Sequence, residues 1–316
     1  MRARGFRVAG PRAACLVALF ACTAFLLLVP GPSRAQEAAL ANPGQSNPLQ
    51  EDTVAAAGLP RWELGAGVAM VDFPLYRGAA ERQRYWLPTP YVQYRGDYLR
   101  VDRERMRSPL LESERVEIDI SVNGSVPVDS SESRARRGMD DLDPTLEVGP
   151  ELRWVLLRDE RRTARRGDTF IDLRVPLRPV FAVNTDRFDQ VGWLTQPTLN
   201  LAYKNMAGTG WNLGASTSWL FGDAGYHRYF YDVNPRDATA DRPAYQASGG
   251  ASGRQHTLTL SRMRGDLWFG AFLRRDDLRD AVFADSPLVQ RRTDHALGFA
   301  MGWVFVRSSE RGAPRD

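Results

Sequence analysis

The chain has 316 residues, with 42 Lys and Arg against 38 Asp and Glu, a formal net charge of +4 and a sequence pI of about 9.2. The basic excess lies in residues 1–35, and the remainder has a net charge of −1, which does not indicate a nucleic-acid-binding protein. Both cysteines, Cys15 and Cys22, also lie in this segment, so a disulfide framework, a cysteine nucleophile and a Cys-bound metal are excluded from residues 36–316.

Residues 1–35 have the form of a cleaved signal peptide. Arginines near the start are followed by an uncharged apolar run at 13–29 and by Ser33-Arg34-Ala35, a small-x-small cleavage site. An uncleaved membrane anchor and a lipoprotein cleaved before Cys22 are the alternatives. Residues 36–60 are polar, contain Pro and Gly and show no periodicity, which predicts a flexible N-terminal arm.

From residue 62 onward, apolar and polar residues alternate with the period of a β-strand. The clearest case is RVEIDISVNGSV at 115–126, where the apolar residues form one face and the charged residues form the other. No apolar run beyond residue 35 is long enough for a spanning helix, which excludes a helical membrane protein. The predicted strands, roughly ten residues long as a membrane-crossing strand requires, are 62–71, 85–95, 98–111, 115–126, 146–156, 170–178, 193–204, 211–221, 226–232, 255–262, 266–274 and 295–305.

These segments predict an all-β fold, an antiparallel transmembrane β-barrel of about 12 strands (10–14), over residues 61–306, followed by a C-terminal tail at 307–316. In such a barrel the apolar faces contact lipid and the charged faces line the interior. The mean hydropathy of −0.39 agrees with a wall in which every second residue faces a polar interior. A secreted β-sandwich with its apolar faces turned inward is the alternative.

Two sets of residues follow from the barrel prediction. Charged residues of mixed sign on the inner faces would fill and rigidify the lumen. Aromatic residues at strand ends would lie in the two membrane interfaces. The predicted lumen-lining residues are Arg115, Glu117, Asp119, Glu147, Glu151, Arg153, Asp172 and Arg174, and the predicted interfacial aromatics are Trp62, Trp193, Trp211, Trp219, Trp303 and Phe305.

The lengths of the connections indicate which strand ends share a side of the membrane. Short turns at 95–97 and 263–265 would lie on the periplasmic side with the N-terminal arm. The connection 127–143 also falls on that side, so it is either an unusually long inner turn or the strand count is off by one. The connections predicted to face outward are 72–84, 158–168, 232–254 and 275–293.

The residues do not form a recognisable catalytic or cofactor site. His227, His256 and His295 do not stand at metal-ligand spacing, and no nucleophile elbow or phosphate-binding loop is present. We therefore expect that the protein is not an enzyme and binds no cofactor or metal. The arginine-rich segment 158–166 is expected to contact lipopolysaccharide phosphates or to be a solvated loop, rather than to bind nucleic acid.

Four stretches of the chain resemble the MltA-interacting protein family, also called MipA/OmpV, of Gram-negative outer-membrane proteins. The likeness spans 62–305 and departs at Asp232, where the family more often has Gly, and at 99–111, which is more charged than the family equivalent. The stretches are WELGAGVA at 62–69 with FPLYRG at 73–78, LPTPYVQYRG at 87–96, YFYDV at 229–233 with RPAY at 242–245, and 277–287 with ADSPLV at 284–289.

The resemblance implies a scaffold in the outer membrane, reached by export with a cleaved signal peptide. The namesake of the family binds a lytic transglycosylase and a murein synthase, so these enzymes are the expected protein partners, alongside outer-membrane lipid. Other family members resemble porins or adhesins, so a small-solute pore and a surface adhesin are the alternative functions. No catalytic or binding residue of the family can be carried over to a numbered position.

Overall fold

In its described residues, the computed structural model of the chain consists of one large antiparallel sheet, a single short α-helix and three single-turn 3-10 helices. It describes residues 60–95, 100–101, 106–107, 111–113, 115–159, 167–184 and 188–310. The predicted signal peptide and nearly all of the predicted N-terminal arm lie outside these residues. The predicted antiparallel all-β fold is confirmed. Within the described part of the chain, no helix is long and apolar enough to cross a membrane.

The sheet contains fourteen strand segments, of which eleven are seven residues or longer. They are β1 (Trp62–Pro74), β2 (Arg82–Arg95), β3 (Arg100–Val101), β4 (Met106–Arg107), β5 (Leu111–Glu112), β6 (Val116–Ser125), β7 (Thr145–Asp159), β8 (Asp168–Val183), β9 (Phe188–Thr195), β10 (Thr198–Lys204), β11 (Trp211–Gly222), β12 (Gly250–Arg264), β13 (Leu267–Asp277) and β14 (Thr293–Arg307). Their order across the sheet is β4-β3-β2-β1-β14-β13-β12-β11-β10-β8-β7-β6-β5. Both β9 and β10 pair with β8 and β11, so they form one interrupted line.

The two edges of this sheet adjoin. The edge strands are β4 and β5, and only three residues separate Arg107 from Leu111, a span of at most about 14 Å. A flat sheet of eleven or more strands would be about 50 Å wide, because neighbouring strands are ~4.8 Å apart. The sheet therefore curls round until its edges meet, and Cα atoms of β4 and β6 come within 8 Å of each other.

The wall of this barrel buries polar side chains and exposes apolar ones, which is the inverse of a soluble protein. On β6, Glu117 and Asp119 are buried on the inner face, whereas Ile120 is exposed on the outer face. On β7, Arg153 is buried and its neighbour Trp154 is 50% exposed. Each of the eleven longer strands carries at least one exposed large apolar side chain. A polar interior with an uncovered apolar exterior is the pattern of a transmembrane barrel.

Two predicted strands differ in the structure. The region 98–111 was predicted to be one strand, but the chain reverses direction there, between β3 and β4. The predicted strand 226–232 is instead helix α1 (Ala224–Tyr231), because the Asp223 carboxylate accepts a hydrogen bond from the Tyr226 amide at 2.8 Å and caps the first turn. One strand is gained at 98–111 and one is lost at 226–232, so the total stays near the predicted twelve. The strands between these two regions run in the direction opposite to the predicted one.

The extra reversal corrects the predicted positions of two connections. The strands place 126–144 at the same end of the barrel as the other long connections, so the strand count, not the turn, was wrong. The strand ends that flank 158–168 also differ from the prediction, because Asp159 of β7 and Asp168 of β8 lie at the opposite end from the other long connections, and residues 160–166 lie outside the described part. We call the first end the cap end, formed by 75–81, 126–144, 223–249 and 278–292, and the second the turn end, formed by 205–210, 265–266 and both described termini.

The described termini lie side by side at the turn end. The Arg61 amide donates to the Glu310 carbonyl at 2.8 Å, and the Ser308 amide donates to the Trp62 carbonyl at 2.9 Å. Strand β14 continues to Arg307, so the predicted tail at 307–316 begins inside the sheet. Residues 311–316 lie outside the described part.

Candidate functional site: a loop cap over a charged lumen

The long connections at the cap end fold together into a small apolar core. Burial of these side chains removes apolar surface from water in the way that stabilises a soluble domain. We call this unit the cap. Its buried apolar residues are Leu75, Tyr76, Ala79, Val128, Leu142, Tyr231, Val233, Ala247, Leu278, Ala281, Phe283, Ala284 and Leu288.

Aromatic rings form the centre of the cap. The rings of Tyr231 and Phe283 stack with their centroids 3.7 Å apart and an angle of 10° between their planes. The His227 ring packs edge-on against Phe283 at 4.8 Å. Burial raises the pKa of the Tyr231 phenol, and its hydroxyl donates to the Arg77 carbonyl at 3.0 Å. The phenol therefore stays neutral and acts as a fixed donor between α1 and the β1–β2 connection.

Hydrogen bonds from buried side chains join the four connections. The Tyr76 hydroxyl donates to the Leu288 carbonyl at 2.9 Å, and the Ser286 hydroxyl donates to the Tyr231 carbonyl at 2.8 Å. The Arg242 Nη1 atom donates to the Ala135 carbonyl at 2.8 Å. Each bond links segments more than fifty residues apart in the chain, so the cap holds one arrangement of its loops.

Gly78 is required at a close approach between two connections. Its φ of +95° lies in the region that favours glycine. A Cβ atom there would stand 3.1 Å from Leu278 Cδ1 and 3.2 Å from Val289 Cγ1. The Gly78 carbonyl accepts from the amides of Gln290 and Arg291 at 2.8 and 3.0 Å. The β1–β2 and β13–β14 connections are thereby held against each other.

His227 and Ser252 form a buried polar pair beneath the cap. The distance from His227 Nε2 to Ser252 Oγ is 2.6 Å, and His227 Nδ1 is 2.6 Å from the Ser248 carbonyl oxygen. The carbonyl requires the Nδ1 proton, so Nε2 accepts from the serine hydroxyl. Burial lowers the pKa of His227. Both side chains are wholly buried, so this Ser–His pair offers no approach to a substrate and acts as a structural link.

A belt of hydrogen bonds follows the inner wall below the cap. Glu147 Oε2 accepts from Asn123 Nδ2 at 3.1 Å and lies 3.1 Å from Arg178 Nε. Gln255 accepts from Gln196 at 3.2 Å and donates to Asp276 at 2.7 Å. The belt is completed by a contact from Arg178 Nη2 to Gln196 Oε1 at 3.4 Å and by an ion pair from Arg77 Nε to Asp276 Oδ1 at 2.9 Å. This inner belt connects β6 to β13 and reaches the cap through Arg77.

A second cluster of charges lies on β6, β7, β8 and β10. Asp172 accepts from Arg174 Nε at 2.6 Å and from Asn200 Nδ2 at 3.0 Å. Arg153 Nη2 lies 3.6 Å from Asp172 Oδ2, and Arg153 Nη1 donates to Glu117 Oε2 at 2.9 Å. Opposite charges and hydrogen bonds offset the cost of burying these groups, so they fix the positions of the inner side chains.

Seven of the eight predicted lumen-lining residues are buried in the structure, and all seven face the interior. Arg115 is exposed at the turn end, directly before the first residue of β6, and its carbonyl accepts from the Val155 amide of β7 at 2.8 Å. The buried seven are Glu117, Asp119, Glu147, Glu151, Arg153, Asp172 and Arg174.

Several lumen residues were absent from the prediction. Arg178 and Asn200 follow the alternation of their strands, so the inner-face pattern could have identified both. Arg77 lies in a connection, and no periodicity points to its contact with Asp276. Gln255 shares the inner face of β12 with Thr257 and Thr259, so the alternation with Leu258 and Leu260 could have identified it as well.

The predicted interfacial aromatics lie at both ends of the wall. Trp193 and Trp219 are near the cap end and are 45% and 38% exposed. Trp303 and Phe305 are near the turn end and are 57% and 54% exposed. Trp62 and Trp211 are half-buried at the same end as Trp303, and Arg262 stacks over the Trp211 ring with its Cζ 5.4 Å from the centroid.

Three of the four family-like stretches contribute to the cap. Residues 73–78 supply Tyr76 and Gly78, 229–245 supplies the end of α1, and 277–289 supplies Phe283. The family sequence profile described as "MltA-interacting protein MipA" matches residues 64–305. The chain belongs to the MltA-interacting protein family. Family membership and the inverted wall together identify an outer-membrane β-barrel protein. No curated protein matches the sequence.

Several solved outer-membrane proteins resemble the chain in structure. An outer-membrane channel from Pseudomonas putida F1 has 10% sequence identity and a TM-score of 0.42, with 81% of this chain and 100% of that one covered. The NanC porin has 7% identity and a TM-score of 0.34, with 76% and 98% covered. A bacterial polysaccharide outer membrane secretin has 8% identity and a TM-score of 0.34, with 77% and 99% covered.

Proposed function

We propose that the protein is a closed scaffold barrel that holds murein-cleaving and murein-synthesising enzymes at the outer membrane. The observation that carries this proposal is the cap, in which the apolar residues of the long connections pack against one another. The family description names an interaction with MltA, and a lytic transglycosylase with a murein synthase is the partner pair that the family resemblance implies.

The turn end is the proposed docking end. In outer-membrane barrels the short turns face the periplasm and the long loops face outward. The murein enzymes work in the periplasm, so the turn end is the end they can reach. Both described termini lie there, joined by the hydrogen bond from the Arg61 amide to the Glu310 carbonyl and by the ion pair between the two side chains.

A capture experiment with matched variants tests this proposal. The full-length mature barrel would be immobilised and exposed to a purified lytic transglycosylase and murein synthase, with an unrelated barrel as the blank. Arg264→Glu at the turn end should lower capture about fivefold, since a reversed charge at an interface opposes a charged partner. Arg236→Glu, at a position that is also exposed but lies at the cap end, should leave capture unchanged. Wild-type capture no greater than that of the unrelated barrel would contradict the scaffold role.

A small-solute pore is the second candidate, because the lumen is lined by charged side chains. The inner belt and the cap oppose this candidate. Contacts such as Arg178 to Ser121, at 3.0 Å, reach past the neighbouring strand, and Arg77 ties the cap to the wall. Under the scaffold proposal the barrel therefore does not conduct, whereas a pore requires an open path past the cap.

A further inference from the structure

A strip of polar and basic residues borders the apolar exterior on five adjacent strands at the cap end. The strands are β12, β13, β14, β1 and β2, and they are neighbours in the sheet. On each of them the last large apolar residue on the outer face is followed, two residues toward the cap, by a polar one. The apolar residues Leu258, Leu273, Leu297, Met70 and Trp86 are followed by His256, Arg275, His295, Asp72 and Arg84, which we call the basic strip.

The centre of the strip is a row of three side chains. Arg275 on β13 is directly opposite His256 on β12 and His295 on β14. Side chains at such directly opposite positions have Cβ atoms about 5 Å apart. All three residues are exposed on the outer face. The row therefore presents three nitrogen-bearing groups to one ligand at the edge of the apolar surface.

The one carboxylate in the strip, Asp72, and the carboxylates around it are bound to arginines. Asp72 Oδ1 lies 2.6 Å from Arg82 Nη2, and Asp72 Oδ2 lies 3.0 Å from Arg84 Nη2. Among the described residues, no carboxylate oxygen lies within 4.0 Å of the Arg275 guanidinium nitrogens. The remaining neighbouring acids form the pairs Asp294 with Arg82 at 2.7 Å, Asp280 with Arg254 at 2.9 Å, and Asp277 with Arg279.

The opposite side of the wall has no such strip. At the cap end of β7 and β8 the outer face carries Leu146, Phe181 and Val183, which are apolar to the ends of the strands. Among the strands whose side chains are described, basic residues at the border of the apolar surface thus occur on β12, β13 and β2 and not on β7 or β8. This asymmetry indicates a ligand contact on one side of the barrel, rather than charged residues spread evenly along the border of the membrane.

We infer that the basic strip binds the phosphate groups of an anionic glycolipid in the outer leaflet. A guanidinium group matches the geometry of a phosphate and forms paired hydrogen bonds with it. Acyl chains of the same lipid would lie on Leu273, Leu297 and the 69%-exposed Trp86, which are directly below the strip. This site is separate from the predicted phosphate contact at 158–166, most of which lies outside the described part of the chain. It does not depend on the scaffold role.

A lipid-binding experiment tests the site. The purified barrel in detergent would be titrated with bisphosphorylated lipid A and, in parallel, with lipid A lacking phosphate, and bound lipid would be counted by native mass spectrometry. The double variant Arg84→Gln/Arg275→Gln should bind the bisphosphorylated lipid about tenfold more weakly than the wild type. The matched control is Arg262→Gln/Arg264→Gln, which removes the same charge from the turn end of β12 and should bind as the wild type does.

Heat-modifiable gel mobility would show that all three proteins are folded barrels. Equal binding of the two lipids by the wild type would overturn the inference. A loss of binding in the control variant as large as that in Arg84→Gln/Arg275→Gln would also overturn it. Inorganic phosphate at millimolar concentration should not displace the lipid, because a free anion lacks the apolar contacts. Full displacement by inorganic phosphate would show a simple anion site and would also overturn it.

Discussion

The cap and the wall of this protein bury opposite kinds of residue. The cap has Tyr231, Phe283 and Leu288 inside and the charged pair Arg236–Asp140 outside. The wall has Arg153 and Arg174 inside, each about 1% exposed, and apolar side chains outside. The same physical rule explains both, because apolar groups leave water for the nearest apolar medium. For the cap that medium is its own core, and for the wall it is lipid.

This difference determines what each part contributes to function. The wall needs lipid to cover its exterior, so its internal order depends on hydrogen bonds and ion pairs. The cap needs only its own loops, so it can open while the wall stays intact. Variants that affect one part and spare the other therefore separate the two kinds of stability.

The largest effect is expected for Phe283→Ala in the cap. The side chain is wholly buried between Tyr231 and His227, and its removal leaves a cavity that costs about 3–5 kcal/mol. Amide hydrogen exchange in 278–292 should become at least about a hundredfold faster. Val282→Ala, at a neighbouring position that is 40% exposed, is the control and should exchange almost as the wild type does. Slow exchange in Phe283→Ala would mean that the aromatic stack does not hold the cap.

The second-largest effect on stability is expected for Asp172→Asn in the wall. The amide keeps one acceptor oxygen but loses the charge that faces Arg174 and Arg153. We expect a loss of about 1.5–3 kcal/mol, the range for a hydrogen bond to a charged group. The urea midpoint of unfolding in lipid vesicles measures it, with exposed Asp189→Asn as the control. An unchanged midpoint would indicate that the lumen charges are hydrated rather than paired.

A smaller effect is expected from the protonation of His227. Its pKa is lowered in the closed cap, so the open cap binds a proton more readily. The stability of the cap is therefore complete above the ordinary imidazole pKa of about 6.5 and declines as the pH falls below that value. Relative to the intrinsic exchange rate of the amides, which itself falls with pH, hydrogen exchange in 223–249 should accelerate at pH 5 in the wild type. His227→Gln should lose this dependence, and exposed His256→Gln should keep it. The same acceleration in His227→Gln would assign the effect to another group.

The smallest effect is expected for Arg236→Gln on the outside of the cap. Arg236 and Asp140 form an ion pair at 2.7 Å, but their side chains are 70% and 87% exposed. Water and salt screen such a pair, which contributes at most about 1 kcal/mol. The exchange rates of cap amides should change less than about fivefold. A change as large as that of Phe283→Ala would contradict the division between core and surface.

The sequence predicted the wall better than the cap, for a physical reason. Strand alternation is a local signal, so it identified Glu117 and Arg153 as inner residues and placed the last strand correctly. The cap depends on contacts such as Gly78 with Val289, which join segments far apart in the chain. No local period reports such contacts. Helix α1 was missed for a related reason, because its capping residue Asp223 gives a weaker signal than a run of aromatics that also suits a strand.

The predicted loop positions were wrong because the shortest strand segments were not detected in the sequence. One or two paired residues, as in β3 and β4, leave no alternation to detect, yet each reversal moves every later connection to the other end of the barrel. Arg115 shows the same limit at the scale of one residue. Its spacing from Glu117 predicts burial on the inner face, but at the end of the strand its side chain is exposed.

Electrical recording in planar lipid bilayers tests the central claim most directly. The claim is that the cap and the inner belt close the barrel, so that it serves as a scaffold and not as a pore. The wild-type protein, shown by heat-modifiable mobility to be folded, should give no stable conductance steps, whereas Phe283→Ala should give intermittent ones. Stable, long-lived open steps from the wild type at neutral pH would contradict the closed barrel and favour the small-solute pore.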